Sequence, residues 1–150
     1  MEEGFAEWIA TRLEPHSLAF PYYGFPVHLV AGHWLIREEA SPLRVLLGRH
    51  RDLNHRCLAQ AYSLRGAFFH YLHDTYGKEA VFRLAYAEEE MTPALFAQVF
   101  GQDFDTLAGE WREATLARWA TTADAAQQAR AYRQQTPAKH IYVCQAGKDC

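Results

Sequence analysis

The sequence predicts an all-α protein that forms a single helical domain. Apolar residues within 61–77 recur at spacings of three, four and seven, which places them on one side of an α-helix. Two later helices carry clear start signals at Thr92-Pro93 and Asp103. The only convincing strand-like triplet is Ile141-Tyr142-Val143. We therefore expect a helical core in which the 61–77 helix is the main wall.

The amino-terminal part is predicted to hold two helices joined by an aromatic loop. Glu2–Leu13 is amphipathic, with its large apolar residues on one stripe. Residues 14–26 contain prolines, a glycine and several aromatic rings, and are too apolar to be freely solvated. We expect this loop to pack over the core. Residues 27–39 are predicted to be a helix, although the pair Leu35-Ile36 is also compatible with a strand.

The middle of the chain predicts a short helix followed by a helical hairpin. Residues 42–47 follow an N-cap and begin with proline. After a polar connection the central helix runs to Tyr76, and Gly77 separates it from a helix over 79–89. Gly66 lies inside the central helix at a cost of about 0.5–1 kcal/mol relative to alanine. We expect another part of the chain to pass close to it.

Two more helices and a tail complete the prediction. The helix over 93–100 should end at Gly101, and Asp103 should cap a helix whose apolar stripe faces the core. Residues 121–135 are rich in Ala, Gln and Arg, and we expect them to prolong that helix as a solvent-facing extension. The chain is thus divided into a helical domain, 1–120, and a helical extension with a tail, 121–150.

Composition narrows the classes of function. The chain has 150 residues, of which 49% are hydrophobic, so it can fill one substantial core. Its net charge is −3 and its basic residues are not clustered, which argues against a nucleic-acid partner. The sequence contains no run of 18 apolar residues, which argues against a membrane span. Cys57 is expected to be a buried thiol, whereas Cys144 and Cys150 either pair or remain free thiols, the latter being favoured.

Two stretches of the sequence, one near the amino terminus and one from Tyr62 onward, together resemble the pattern of a known family. Glu3-Gly4-Phe5-Ala6-Glu7 has the form E-G-x-A. Downstream, the order is Tyr62, Tyr71-Leu72, Tyr76-Gly77, Phe82, Gly101, Leu107 and Trp111. Together, over about residues 2–119, the chain resembles the helical region that follows the H-E-x-x-H helix in gluzincin-type zinc metallopeptidases of the peptidase MA-like kind.

This resemblance implies a role for two residues. Glu3 would be the carboxylate ligand of zinc, and Tyr62 would be a catalytic tyrosine whose hydroxyl faces the substrate carbonyl. The full-length parent would then be a zinc-dependent hydrolase of peptide or protein substrates. Such a centre needs two neutral histidines and a carboxylate on the metal, a nearby carboxylate base and a donor for the oxyanion.

The chain departs from this family in one large respect. H-E-x-x-H is absent, and none of the eight histidines lies four residues from another. The first two ligands and the general base are therefore missing. We expect the chain to be the carboxy-terminal remainder of a peptidase rather than a degenerate homologue, and to bind no zinc and have no activity alone.

Other interpretations of the same residues remain open. For the chain alone, the favoured interpretation of Glu3 is a solvated carboxylate at the positive end of a helix dipole, and that of Tyr62 is a core tyrosine. His70, His73 and Asp74 share a helix face and supply at most half of a metal site, so a polar structural role is favoured. The alternative function is a non-catalytic helical interaction module, or a homodimer, that uses exposed apolar surface.

Overall fold

The helices that apolar periodicity predicts are present in the computed structural model, which describes residues 2–15, 18, 21–36, 46, 58–87 and 92–136. No strand occurs within these ranges, so the all-α prediction is confirmed. In chain order the helices are α1 (Glu2–Leu13), α2 (Val27–Ile36), α3 (Leu58–Tyr76), α4 (Lys78–Ala85), α5 (Pro93–Phe100), α6 (Phe104–Thr121) and α7 (Ala125–Gln135).

Helix α3 is the centre of the domain, and α1, α2, α4 and α6 all pack against it. The most extensive of these contacts is with α1. Residues 63–69 are buried all round the helix, so α3 is covered on more than the one predicted face. Phe68 is fully buried against the rings of Phe96, Phe104 and Trp111 at centroid distances of 5.5–6.0 Å. This ring cluster ties α5 and α6 to α3.

The helix starts predicted at Thr92 and Asp103 are confirmed, and each has a side-chain cap. Thr92 Oγ1 accepts a hydrogen bond from Leu95 N at 3.3 Å, and Asp103 Oδ1 accepts one from Thr106 N at 2.9 Å. Each bond satisfies a backbone N–H that the first helical turn leaves without a partner. Gly101 ends α5 in the left-handed conformation, as predicted, with φ of 73°.

The aromatic loop packs onto the core as predicted over residues 21–26, whereas its earlier described residues Glu14, Pro15 and Leu18 are exposed. Tyr22 is only 2% exposed, and the half-buried Phe25 and Tyr23 contact the ring of Tyr132 in α7 at centroid distances of 5.7 and 6.4 Å. The loop therefore joins the amino-terminal helices to the last helix.

Helix α4 is shorter than predicted. It ends at Ala85, whereas the prediction continued to residue 89. Residues 88–89 of the predicted helix lie outside the described residues. The N–H of Ala87 bonds to the carbonyl of Leu84, three residues back, at 3.4 Å. This bond spans three residues instead of the four of an α-helix, so it closes a narrower last turn and ends the α-helical pattern.

The prediction that residues 121–135 prolong the preceding helix is wrong. A turn at residues 122–124 separates α6 from α7, and Asp124 takes a left-handed backbone with φ of 56°. Helix α7 then packs on α2 and buries Ala125, Ala129 and Tyr132. These three residues form an i, i+4, i+7 stripe on one face of the helix. Tyr132 is the only large apolar side chain among them, and it anchors a helix whose other residues are mostly polar.

Several predictions fall on residues that the structure does not describe. They concern the 42–47 helix, of which Leu46 alone is described, and the three cysteines and the strand-like triplet at 141–143. Within the described ranges, none of the helices combines the length and the apolar character needed to cross a bilayer.

Candidate functional site

The E-G-x-A segment forms the first turns of α1 and lies directly on α3. A Cβ atom added at Gly4 would be 2.8 Å from Cβ of Arg65 and 3.0 Å from the ring of Phe69. Real Cβ contacts essentially never come closer than 3.0 Å. The glycine of the motif is therefore what allows the two helices to touch at this point.

Helices α1 and α3 run in the same direction. Gly4 faces Arg65, Thr11 reaches His70, and the guanidinium of Arg12 lies 3.6 Å from the carboxylate of Asp74. Residue numbers thus rise together along both helices, and their amino-terminal turns lie at the same end of the pair. Tyr62 precedes Arg65 by about one turn and is half-buried at this end. The backbone of Glu3 lies in α1, and its side chain is outside the described part of the structure.

The three polar residues that share a face of α3 do not converge on one point. His70 Nε2 lies 2.7 Å from Thr11 Oγ1, whereas His73 Nδ1 lies 2.9 Å from Asp74 Oδ1. Each imidazole is thus engaged by a different partner. Among the residues that the structure describes, no three His, Cys, Asp or Glu side chains are grouped closely enough to hold a metal ion.

These described residues do not by themselves assemble a zinc centre. No known protein-family model, curated protein or solved structure matches the chain. The relationship to the gluzincin peptidases therefore stays a prediction from the motifs and their order.

A buried polar cluster lies just beyond Gly4 on the same helix contact. The hydroxyl of Tyr22 and Cβ of Glu7 both approach Gly66, where an added Cβ would be 2.6 Å from Tyr22 Oη and 3.2 Å from Glu7 Cβ. The close neighbour that Gly66 predicts is thus the aromatic loop. Burial raises the pKa of the Glu7 carboxyl, and the Tyr22 hydroxyl partly opposes that rise. Burial, reinforced by the Glu7 charge, raises the pKa of Tyr22 well above its ordinary value.

A groove of about 720 Å³ lies at the other end of α1, between α1, α3 and α6. Its size is in the range of small-molecule sites, which run from about 300 to 1,000 Å³. The groove is lined by both apolar and polar residues: Thr11, Arg12, Pro15, Pro26, Val27, His28, Ala67, His70, Tyr71, Asp74, Ala114, Thr115 and Arg118. We call it the Arg118 groove.

Two neutral histidines face the Arg118 groove. Burial lowers the pKa of His28 to about 4, and the positive charge of Arg118 adds to this effect. Burial also lowers the pKa of His70 to about 4. The charge of Asp74 opposes this shift, and the charges of Arg12 and Arg118 add to it. Both imidazoles are therefore uncharged near neutral pH, and each retains one N–H donor and one acceptor nitrogen.

Hydrogen bonding around Thr11 assigns the tautomer of His70. Thr11 Oγ1 lies 2.7 Å from the carbonyl oxygen of Glu7, which only accepts hydrogen bonds. The hydroxyl has one proton and donates it to that carbonyl. Its 2.7 Å contact with His70 Nε2 is then a bond in which the imidazole N–H donates. Nδ1 of His70 is consequently the unprotonated nitrogen.

The groove was not predicted from the sequence, since its residues come from four separate stretches. Arg118 and His28 are far apart in the chain, and no spacing rule relates them. Glu7 was not singled out either, although it lies in the E-G-x-A-E segment itself. Tyr22 had one indirect signal, namely the mid-helix Gly66 against which it packs.

Proposed function

We propose that this chain is the carboxy-terminal helical part of a zinc-dependent peptidase, whose H-E-x-x-H segment is supplied by chain outside the present sequence. One observation carries the proposal. The helix that contains E-G-x-A packs on the helix that contains Tyr62, and Gly4 of the motif makes the contact. Two stretches that each resemble the family's pattern are therefore neighbours.

In this proposal the two helices supply one wall of a hydrolytic cleft. Glu3 offers a carboxylate from the first turn of α1, and Tyr62 offers a phenol from the matching end of α3. Zinc would supply Lewis acidity and an activated water when bound. The remaining zinc ligands and the general base would come from the H-E-x-x-H segment.

The test begins with the gene. Its reading frame upstream of Met1 is expected to encode H-E-x-x-H within a few dozen residues, and the longer protein is expected to contain about one zinc ion per chain by elemental analysis. Glu3→Gln should release the zinc, whereas Glu2→Gln, one residue away and outside the E-G-x-A pattern, should retain it. Tyr62→Phe should keep the zinc and lower kcat on a peptide substrate.

Three results would contradict the proposal. One is a reading frame without the motif, and another is a longer protein that has the motif but takes up no zinc and cleaves no peptide. The third is equal zinc retention in the Glu2 and Glu3 variants, which would remove Glu3 from the site.

An exposed aromatic surface supports the second candidate function, self-association of a non-catalytic helical module. Phe82 and Tyr86 are 38% and 72% exposed and stack with ring planes 4° apart. Phe5 extends this surface, with ring centroids 5.7 and 6.0 Å from theirs. Paired aromatic surfaces of this kind are enriched at protein interfaces.

Light scattering over a wide concentration range tests this candidate. A dimer is expected at high concentration, and Tyr86→Ser should weaken it while the exposed Arg83→Gln should not. Monomers at every concentration would eliminate self-association.

A further inference from the structure

The Arg118 groove has a chemistry that the proposed peptidase role does not use. It lies beside the carboxy-terminal half of α1, about two helical turns from Gly4. We propose that it binds a small organic molecule with one carboxylate and an apolar body, and that Arg118 holds the carboxylate.

The charges of the groove favour a single negative charge. Arg12 and Arg118 contribute two positive charges, and Asp74 contributes one negative charge. Asp74 already has two partners, the guanidinium of Arg12 at 3.6 Å and the imidazole of His73 at 2.9 Å. Among the described residues Arg118 makes no ion pair, so its planar guanidinium is available for a bidentate contact with a carboxylate.

Neutral His28 fits the same ligand. Its uncharged imidazole can donate a hydrogen bond to a carboxylate without adding a second positive charge, and it faces the groove near Arg118. His70 also lines the groove, but its N–H is already donated to Thr11. A dianion such as a phosphate monoester would meet only one surplus positive charge, so one of its negative charges would remain uncompensated. A carboxylate therefore matches the groove better than a phosphate.

The rest of the lining explains the apolar body. Pro15, Pro26, Val27, Ala67 and Ala114 present hydrocarbon to the groove. Burial of apolar ligand surface provides the driving force of binding, and the polar groups fix the orientation. The volume of about 720 Å³ has room for a medium-length hydrocarbon chain or a ring system beside the carboxylate.

The test uses octanoate as the probe and octanamide as its uncharged isostere. Titration of the isolated chain, followed by amide shifts in nuclear magnetic resonance, should give saturable octanoate binding with the largest shifts around residues 67–74 and 114–118. Octanamide should bind about tenfold more weakly, because it cannot pair with the guanidinium.

Variants separate the groove from the general surface. Arg118→Gln should weaken octanoate binding about tenfold and leave octanamide binding unchanged. Arg83→Gln, an exposed arginine of α4 outside the groove, is the matched control and should bind octanoate like the unmodified protein. Thermal unfolding of both variants verifies that they are folded.

The proposal is overturned if octanoate and octanamide bind equally, if Arg118→Gln and Arg83→Gln behave alike, or if the shifts spread over the whole surface. Zinc plays no part in this experiment, so its failure leaves the peptidase proposal standing, and the reverse also holds.

Discussion

The hydroxyl oxygen of Tyr22 occupies the space in which a side chain at Gly66 would begin. A Cβ atom at Gly66 would lie 2.6 Å from Tyr22 Oη, and Tyr22 itself is 2% exposed. The aromatic loop is thus seated on the central helix at the one residue in that turn that lacks a side chain. The helix accepts a residue of low helical propensity because the loop needs the space.

Gly66→Ala is therefore expected to destabilise the protein by about 1–3 kcal/mol, the usual cost of overpacking a core, although alanine is the better helix former. In a Tyr22→Phe background the same substitution should cost markedly less, because the clashing oxygen is gone. Urea unfolding of the four proteins in this cycle measures the coupling. Purely additive effects would show that the Tyr22 hydroxyl does not set the cost.

Gly4→Ala should destabilise the α1–α3 contact by a similar amount, about 1–3 kcal/mol. The atoms it would meet, Cβ of Arg65 and the ring of Phe69, cannot move aside easily within a packed core. Gly109→Ala in α6 is the matched control, since a Cβ there meets nothing within 4 Å. It should stabilise by about 0.5–1 kcal/mol through helix propensity. Equal effects of the two substitutions in urea unfolding would refute the close helix contact.

Glu7→Gln should raise stability near neutral pH. Burial raises the pKa of Glu7 in the folded protein, so the folded state is favoured when this carboxyl is protonated and loses that advantage as the pH rises through the raised pKa. Glutamine is uncharged at every pH and retains hydrogen-bonding groups near Tyr22. The urea midpoint of the variant should exceed that of the unmodified protein at about pH 7, and the gap should narrow at about pH 4. A constant gap would mean that the charge of Glu7 is not the cause.

His70→Gln should reduce the sensitivity of the fold to acid. The pKa of His70 is lowered from 6.5 to about 4 in the folded protein, so the unfolded chain binds this proton more readily. Stability is therefore lost as the pH falls from about 6.5 towards 4, and the variant lacks this contribution. Arg12, Arg118, His73 and Asp74 all act on the His70 charge and remain in place.

The measurement for His70 is the fall in urea midpoint between about pH 7 and about pH 5, which should be smaller in the variant. The variant also loses the contact with Thr11, which lowers its urea midpoint at both pH values. Comparing the change in midpoint between the two pH values, rather than the midpoints themselves, removes this constant effect. His28→Gln should act in the same direction, because its pKa is also lowered to about 4. An unchanged fall in both variants would show that neither imidazole is kept neutral by the fold.

The sequence by itself determined the helical class and most helix ends. Thr92, Gly101 and Asp103 act through bonds and backbone angles within a few residues, so their effects are readable without a partner. The periodicity in 61–77 likewise depends on the geometry of one helix. The order of the E-G-x-A segment and the residues from Tyr62 to Trp111 led to the peptidase hypothesis, which remains a prediction.

Only the tertiary structure decided what fills the space between the helices. Tyr22 meets Gly66, and Tyr132 donates a hydrogen bond to the carbonyl of Pro21 at 3.1 Å, across separations that no local pattern encodes. The Arg118 groove likewise brings His28 and Arg118 together from different helices. Local rules fix backbone conformation because their bonds are short-range in sequence, whereas burial and charge act between whichever surfaces packing brings together.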